Sequence, residues 1–585
     1  MRALSLLLVL VLAKLAVLAG HTVPWSFWTP VAYLWQDVLA ALLFAALDLL
    51  VQKARVMNRL AWLIYWALAL YAAINIPVGR AVSTPLTWPM LRAARGPLAD
   101  SLLLYATFAN VLLVLVTLLA AGLLPVLLRL VPRRVLLATA AAGLLLMSLG
   151  PVASARVETL GLERNVFAAL IPSTLPSVRP APAPADWRSS RFPQNRTEDL
   201  SHLRGIAKGR NIVVVSLEST AAQHLRLYGG EYELMPNLSA LARNALVFDN
   251  AYAVYPESIK GLFSVLCATF PVFDSKPESY EKVPCRSVAA ILADAGYRTG
   301  LFHSGRFAYL GMESIIRHRG YQTLEDAGDI GGNHHSSFGV DEPSTVSRIL
   351  SWIDALPRGQ NFLVTYLPIA GHHPYETPER GPFPDREEIG RYRNALLYGD
   401  ASLGTLAQGL VDRGLAENTL WIVFGDHGEA FGQHEGNYGH TFFVYDENVR
   451  VPFVIAAPGL MHNQVRVRKV VSLVDTAPTI LDLIGLPPPD SYQGRSMLDD
   501  APRMALFFAD YSLGILGLRD GPWKFLYEID SGRSKMFDLD RDPLEKIDIA
   551  MHDTPRAEWY GQFVRGWSGA QKNDLARWNR PQPIP

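Results

Sequence analysis

Apolar residues run almost without interruption through the first 155 positions of the chain and then give way to a mixed pattern. Within that part, segments near 3–20, 30–50, 58–76, 100–130 and 134–153 mostly approach the roughly 20 residues that span a bilayer as a helix. Five helices are the simplest count. Arg2, then Lys53, Arg55 and Arg59, then Arg129, Arg133 and Arg134 flank alternate ends of these segments, as a cytoplasmic bias of basic residues requires. Everything after residue 155 is then expected to be extracytoplasmic, in a multi-pass protein of a bacterial-type plasma membrane. The first segment also fits a signal peptide, since "VLAG" ends it and Lys14 interrupts it. Its removal would leave four helices and the same orientation. Asp37 and Asp48 lie in or near the second segment, where a charge is costly and marks either function or an interfacial depth.

Beyond residue 211 short β-rich runs alternate with helical patterns: "NIVVVSLES", "TGLFHSG", "NFLVTYLPI", "LWIVFGDHG" and "VPFVIAAPG". Strands that are apolar on both faces predict a sheet covered on both sides by helices. The expected fold is therefore an α-helical transmembrane domain followed by an α/β domain with a mainly parallel sheet. Between them "PSTLPSVRPAPAPADW" reads as an extended, semi-rigid spacer. The predicted organisation is a transmembrane domain over 1–155, a proline-rich linker over 156–210, the α/β domain over 211–550 and a tail over 551–585.

Charge changes this picture little. The 54 basic and 54 acidic side chains cancel, which gives no reason to expect a nucleic-acid partner, and the oligomeric state is left open. The two cysteines, Cys267 and Cys285, either pair in an oxidising compartment or remain two inert thiols.

Ligands of parallel α/β sheets bind beyond the carboxyl ends of the strands. At those ends the sequence places Glu218, His303, Arg306, His372, His373, Asp426 and His427. Two carboxylates and an imidazole suit manganese or zinc (Mn²⁺ or Zn²⁺) better than Ca²⁺, which takes a larger all-oxygen shell, with Mg²⁺ or Ca²⁺ as further candidates. Ser258 in "YPESIKGLFSVLCATF" stands where a loop enters an apolar helix, as its N-cap or as a nucleophile whose alkoxide a helix amino terminus and a metal would favour. The glycine-rich "FGDHGEAFGQHEGNYGHT" also carries His434, expected to pack in the turn or touch substrate, and His224, His334 and His335 are expected at the surface.

These stretches carry a resemblance. "NIVVVSLES", "MPNLSALARNALVFDNAYAVYPES", "GHHPY", "FGDHGE", "GHTFFVYDENVRVPFVI", "SLVDTAPTILDLIGL" and "GPWKFLYEIDSGRSKMFDLDRDPLEKIDIA", in this order, resemble the sulfatase and alkaline-phosphatase superfamily across nearly all of 211–550. Preceded by five apolar segments, the chain resembles its lipoteichoic acid synthases and, more distantly, its phosphoethanolamine transferases. The resemblance implies a metal held by Glu218, Asp426 and His427 together with Ser258, which falls at the nucleophile. It also implies His372 and His440 at the transferred group, and Arg306 and Tyr309 near the acceptor or head-group pocket. Sulfatases convert the nucleophile of Cys/Ser-x-Pro/Ala-x-Arg to formylglycine, whereas Ser258 is followed by Ile259, Lys260, Gly261 and Leu262. An unmodified serine points to phosphoryl chemistry.

The expected function is a metal-dependent, extracytoplasmic phosphoryl-ester transferase or hydrolase. Its expected partner is a membrane lipid, either an anionic phospholipid or a lipid-linked glycan. A sulfuric ester hydrolase is the alternative, followed by a non-catalytic lipid sensor.

Overall fold

The computed structural model describes residues 1–51, 55–87, 90–91, 106–170, 181–182, 186–194, 198–334 and 338–578. The amino-terminal part is a bundle of α1 (Arg2–Leu18), α2 (Thr29–Val51), α3 (Arg55–Val82), α4 (Phe108–Leu127) and α5 (Arg133–Ser154). Four of these, α2 to α5, are long and apolar enough to cross a membrane. With 17 residues, α1 rises about 26 Å at 1.5 Å per residue, short of a hydrocarbon core of about 30 Å. The start of the 100–130 segment, to residue 105, lies outside the described residues, as does Lys53.

Charged residues inside the bundle are paired across helices. Arg2 meets Asp48 at 2.6 Å, and Lys14 meets Asp37 at 2.5 Å, where Asn165 Nδ2 also donates to the carboxylate at 2.7 Å. Both aspartates therefore bind α2 to α1, which supplies their counter-charges.

One end of the bundle faces the soluble domain. His21 and Thr22, after α1, meet Glu435. After α3, Thr84 Oγ1 and Ser512 Oγ are 2.5 Å apart, and Thr87 Oγ1 donates to the Tyr511 carbonyl at 3.0 Å. The 156–210 segment is no bare spacer at its start: Val157 and Leu162 are buried, and Arg164 reaches the Ser512 carbonyl. Its proline run at 171–180 lies outside the described residues.

The soluble domain is built on β1 (Asn211–Leu217), β2 (Ala245–Tyr252), β3 (Arg298–His303), β4 (Thr323–Glu325), β5 (Phe362–Leu367) and β6 (Thr419–Gly425). A hairpin, β7 (Ala430–Phe431) and β8 (Tyr438–Gly439), precedes β9 (Arg450–Val451), β10 (Phe453–Ala456) and β11 (Val465–Ser472). The main sheet runs β11-β2-β10-β6-β1-β5-β3-β4, with β9 beside β2. Its pairs are parallel except those made by β9 and β10. Every residue of β1 and β6 is buried. Ile212 and Val214 join one apolar cluster while Val213, Val215 and Leu217 join another, because successive side chains of a strand leave opposite faces. Both faces are thus covered, as the apolar runs predicted.

A second, antiparallel sheet of β12 (Met504–Ala509), β13 (Ile515–Asp520), β14 (Trp523–Glu528) and β15 (Ser534–Asp538) was not anticipated. The segment 551–585, read as a tail, instead carries the helix Thr554–Trp578, which buries Tyr560, Phe563 and Trp567 against this sheet.

Candidate active site

Strand register brings the acids together. Leu217 of β1 pairs with Gly425 of β6, so Glu218 and Asp426 leave neighbouring strands side by side, and the Asp426 amide donates to the Leu217 carbonyl at 3.0 Å. His427 follows, with Nδ1 held by the Gly428 carbonyl at 3.0 Å and Nε2 within 3.6 Å of Glu218 Oε1 and 3.5 Å of Asp426 Oδ2. The Ser219 amide donates to Asp426 Oδ1 at 3.0 Å, and its hydroxyl donates to Glu218 Oε1 at 2.9 Å. Two glycines permit this crowding. A Cβ on Gly428 would lie 2.1 Å from the Glu447 carbonyl oxygen, and one on Gly371 would lie 2.1 Å from that of Glu218.

Ser258 Oγ donates to Glu218 Oε2 at 2.9 Å and stands 3.3 Å from His427 Nε2. It is not the N-cap that the sequence suggested. Glu257 caps α6 (Ser258–Cys267), accepting from the amides of Ile259 and Lys260. A carboxylate reaches these amides, which frees the Ser258 hydroxyl for the acid pair. The same contacts occupy the donors that an incoming anion would use, so the helix terminus is already capped. Farther along, Lys260 is buried against Asp510 at 2.8 Å and ties α6 to the segment after β12. Cys267 at its end is bonded to Cys285.

Glu218, Asp426 and His427 are buried, and each offers a ligand atom within 4.8 Å of the others. Burial pushes the Asp426 carboxyl up to about 7 and the His427 imidazole down to about 4. His427 Nε2 stands beside both acids without a charge to offset theirs. Two buried acids with a neutral imidazole call for a cation as counter-charge, so the residues fit a divalent metal. A second group, His427, Glu429 and His440, meets the same distance criterion. With Nδ1 spent on Gly428, His427 has one ring nitrogen to give, and the two groups compete for it.

His440 arrives through the hairpin. Ala430 pairs with Gly439, so the flanking Glu429 and His440 face each other and His440 Nδ1 lies 2.7 Å from Glu429 Oε2. Glu429 Oε1 accepts from the Tyr375 hydroxyl at 2.6 Å. The His440 ring stacks on His427 at 4.3 Å between centroids, with His372 6.3 Å away. His372 Nδ1 is held by the His373 carbonyl at 2.7 Å, and its ring packs on Phe338 and near Tyr309. Glu429, Tyr375, His440, His372, Phe338 and Tyr309 border one cavity of about 760 Å³, which Arg306 lines from the loop after β3.

The structure thus sets Glu218, Ser258, His372, His440, Arg306 and Tyr309 around a single space, with Asp426 and His427 buried beside Glu218.

Residues 210–486 match the Sulfatase family. This stretch is a Sulfatase-family domain, and solved lipoteichoic acid synthase and alkaline-phosphatase-superfamily structures share its fold. The chain is similar to the lipoteichoic acid synthase-like protein YvgJ of Bacillus subtilis, 25% identical over 304 residues, or 48% of each chain. It therefore spans about half the length of that relative. An arylsulfatase of Clostridium perfringens is 25% identical over 443 residues, covering 58% of this chain and 90% of the other. The lipoteichoic acid synthase LtaP of Listeria monocytogenes shares the fold, with a TM-score of 0.51 and 18% identity over 65% of this chain and 96% of that one. Members of the superfamily bind a divalent metal, and this chain presents the carboxylate and imidazole groups for one. With its four long apolar helices the chain is a membrane-anchored protein that carries this domain.

Other histidines sort by their partners. His434 engages Glu447 through Nδ1 and the Glu545 carbonyl through Nε2, so neither nitrogen remains for a metal. His303 bonds the Leu367 carbonyl and stacks on Phe307, and burial pushes it down to about 4. His224 is not a surface residue: its ring packs between Tyr392 and Phe431. His334 is exposed, and His335 lies outside the described residues. Sequence reasoning missed Glu429, Tyr375 and Glu257. Glu429 had a signal, a carboxylate three positions after Asp426 in a strand-end loop, whereas only folding brings Tyr375 to it.

Proposed function

We propose that this protein is an extracytoplasmic, metal-dependent phosphoryl-ester transferase or hydrolase that uses Ser258 as nucleophile on a membrane phospholipid. The observation that carries this reading is the Ser258 hydroxyl, 2.9 Å from Glu218 and 3.3 Å from His427, in a cavity shared with the ends of membrane helices. Manganese or zinc suits Glu218, Asp426 and His427. When bound, such an ion supplies Lewis-acid stabilisation of negative charge and eases ionisation of the serine hydroxyl.

The chain's own groups then have defined tasks. The hydroxyl proton of Ser258 is already directed at Glu218 Oε2. As the Oγ–P bond forms, the bond from phosphorus to the leaving oxygen breaks and that oxygen takes a proton from His372, while His440, its Nδ1–H given to Glu429, offers Nε2 as the base for the acceptor hydroxyl. An acceptor hydroxyl then attacks phosphorus, the P–Oγ bond breaks, and a proton returns to Ser258. Water as acceptor gives hydrolysis, and a sugar or lipid hydroxyl gives transfer. Because Glu257 already occupies the amides of Ile259 and Lys260, charge on the nonbridging oxygens is left to the cavity's own side chains and would be shared by a metal when one is bound.

An extracytoplasmic setting is supported by the Cys267–Cys285 bond, which persists in oxidising compartments. Sulfate esters form the second reading, favoured by the match across 90% of the clostridial arylsulfatase. Both are tested together by incubating the full chain and its Ser258→Ala variant with anionic phospholipid vesicles and Mn²⁺, then analysing lipids and the peptide 252–266 by mass spectrometry. Diacylglycerol and a head-group phosphate on the unmutated peptide alone are the expected result. Formylglycine at position 258 with no lipid turnover would sink the phosphoryl reading and favour sulfate esters.

A further inference from the structure

The cavity over Ser258 is closed by the membrane bundle as well as by the catalytic domain. Gly20 and His21 after α1, Val78, Arg80 and Ala81 of α3, and Asn110 of α4 all border it. Arg80, like Arg156 after α5, stands at the catalytic-domain end of the bundle. Arg2, Arg55 and Arg59 start α1 and α3, and Arg129 follows α4, all at the end away from the catalytic domain, whereas Arg80 sits near the opposite end of α3. Its Nη1 donates to the carbonyls of Ala16 and Ala19 at 3.1 and 3.3 Å, which fixes the guanidinium at the end of α1. A basic residue kept on the extracytoplasmic side, beside a catalytic cavity, suits an anionic ligand arriving from the lipid. Beside it Val78, Ala81, Leu86 and Met90 give the membrane side of the cavity an apolar stretch. At about 760 Å³ the space exceeds what a phosphodiester alone fills and suits a head group with the first part of its acyl chains.

We propose that the membrane helices form half of the substrate site: an anionic phospholipid enters from the outer leaflet, with its chains against Val78, Ala81, Leu86 and Met90. Arg80 holds the lipid side of its phosphodiester while the phosphorus meets Ser258. This rests on the phosphoryl reading above for the choice of head group. Arg80 is a positioning residue that selects a membrane-borne anion, and α3 is part of the enzyme's specificity rather than an anchor alone.

The test uses the full chain carrying Ser258→Ala, so that binding is read without turnover, in nanodiscs of phosphatidylcholine with a minor share of phosphatidylglycerol bearing a photoreactive acyl chain. After illumination, labelled peptides are mapped by mass spectrometry. Labelling of the 78–90 segment is expected, falling at least tenfold when Arg80→Gln is added. It should fall similarly with Ala81→Trp, which fills the cavity without removing the arginine, and survive Arg80→Lys in larger part. Labelling of Arg80→Gln and Ala81→Trp as strong as that of the Ser258→Ala parent overturns the proposal, as does label confined to the lipid-facing sides of α2 and α5. Diacylglycerol release by the unmutated chain without label at 78–90 refutes this inference and leaves the phosphoryl reading standing. Label at 78–90 without any lipid turnover does the reverse.

Discussion

Glu429→Gln is the sharpest probe of the site, because the substitution keeps the side chain's volume and changes only its charge and its hydrogen bonding. Glu429 accepts from Tyr375 at 2.6 Å and from His440 Nδ1 at 2.7 Å. A carboxylate oxygen can only accept, so the proton sits on Nδ1 and His440 presents Nε2 as an acceptor toward the reacting group. A glutamine that still accepts from Tyr375 must turn its amide nitrogen toward His440, which reverses the imidazole tautomer. Bonds to a charged group contribute roughly 1.5–3 kcal/mol and neutral ones about 1 kcal/mol, so the exchange forfeits about 1–2 kcal/mol. Felt in the transition state, that is a fall in kcat of roughly 5- to 30-fold. Steady-state kinetics of the full chain in detergent, with bis-p-nitrophenyl phosphate and p-nitrophenyl sulfate as paired substrates, read the effect, and calorimetric titration of Mn²⁺ runs beside it. The expected pattern is a lower kcat with Mn²⁺ affinity held to within about twofold. Unchanged kcat would refute the claim that Glu429 orients His440. A loss traced wholly to weaker Mn²⁺ binding would make Glu429 a ligand, as in the second acid and imidazole group.

The competition for His427 predicts one tightly bound ion per chain, read by elemental analysis after dialysis. Two ions, or full metal content in Asp426→Asn, would contradict the ligand set. The buried Lys260–Asp510 pair predicts that Lys260→Met lowers stability by about 3–5 kcal/mol, because Asp510 loses its counter-charge. Adding Asp510→Asn should recover much of that in thermal melts of the full chain, and a double variant as unstable as the sum of the singles would show that the two do not interact. Within the bundle, Lys14→Met should weaken the α1–α2 tie, and the pair Lys14→Met with Asp37→Leu should restore expression in membranes. Equal loss in both proteins would mean that the pair is not what holds α1.

Periodicity and strand-end chemistry carry far in this chain because they are local. Uninterrupted apolar length forces segments out of water, and apolar runs such as Asn211–Leu217 and Thr419–Gly425 have no polar face to solvate, so a bundle and a doubly covered sheet follow from sequence alone. Glu218, Asp426 and His427 were legible for the same reason: each directly follows such a run, at the end where parallel sheets bind ligands. The second sheet and the helix Thr554–Trp578 were not, since short antiparallel strands and a weakly patterned helix depend on the partner they pack against.

What sequence spacing could not decide is which distant groups share a charge or a proton. The register of β1 on β6 sets the two carboxylates edge to edge, and the pairing of Ala430 with Gly439 sets Glu429 against His440. Glu257 takes the cap that Ser258 seemed suited to, because its longer side chain reaches the two free amides. Docking of the bundle then brings His21, Arg80 and Asn110 to the cavity that Ser258 lines. Hydrogen bonds and ion pairs act over a few ångströms in space regardless of separation along the chain. The sequence by itself therefore determined which groups are available and on which elements, and the tertiary structure alone decided which of them meet.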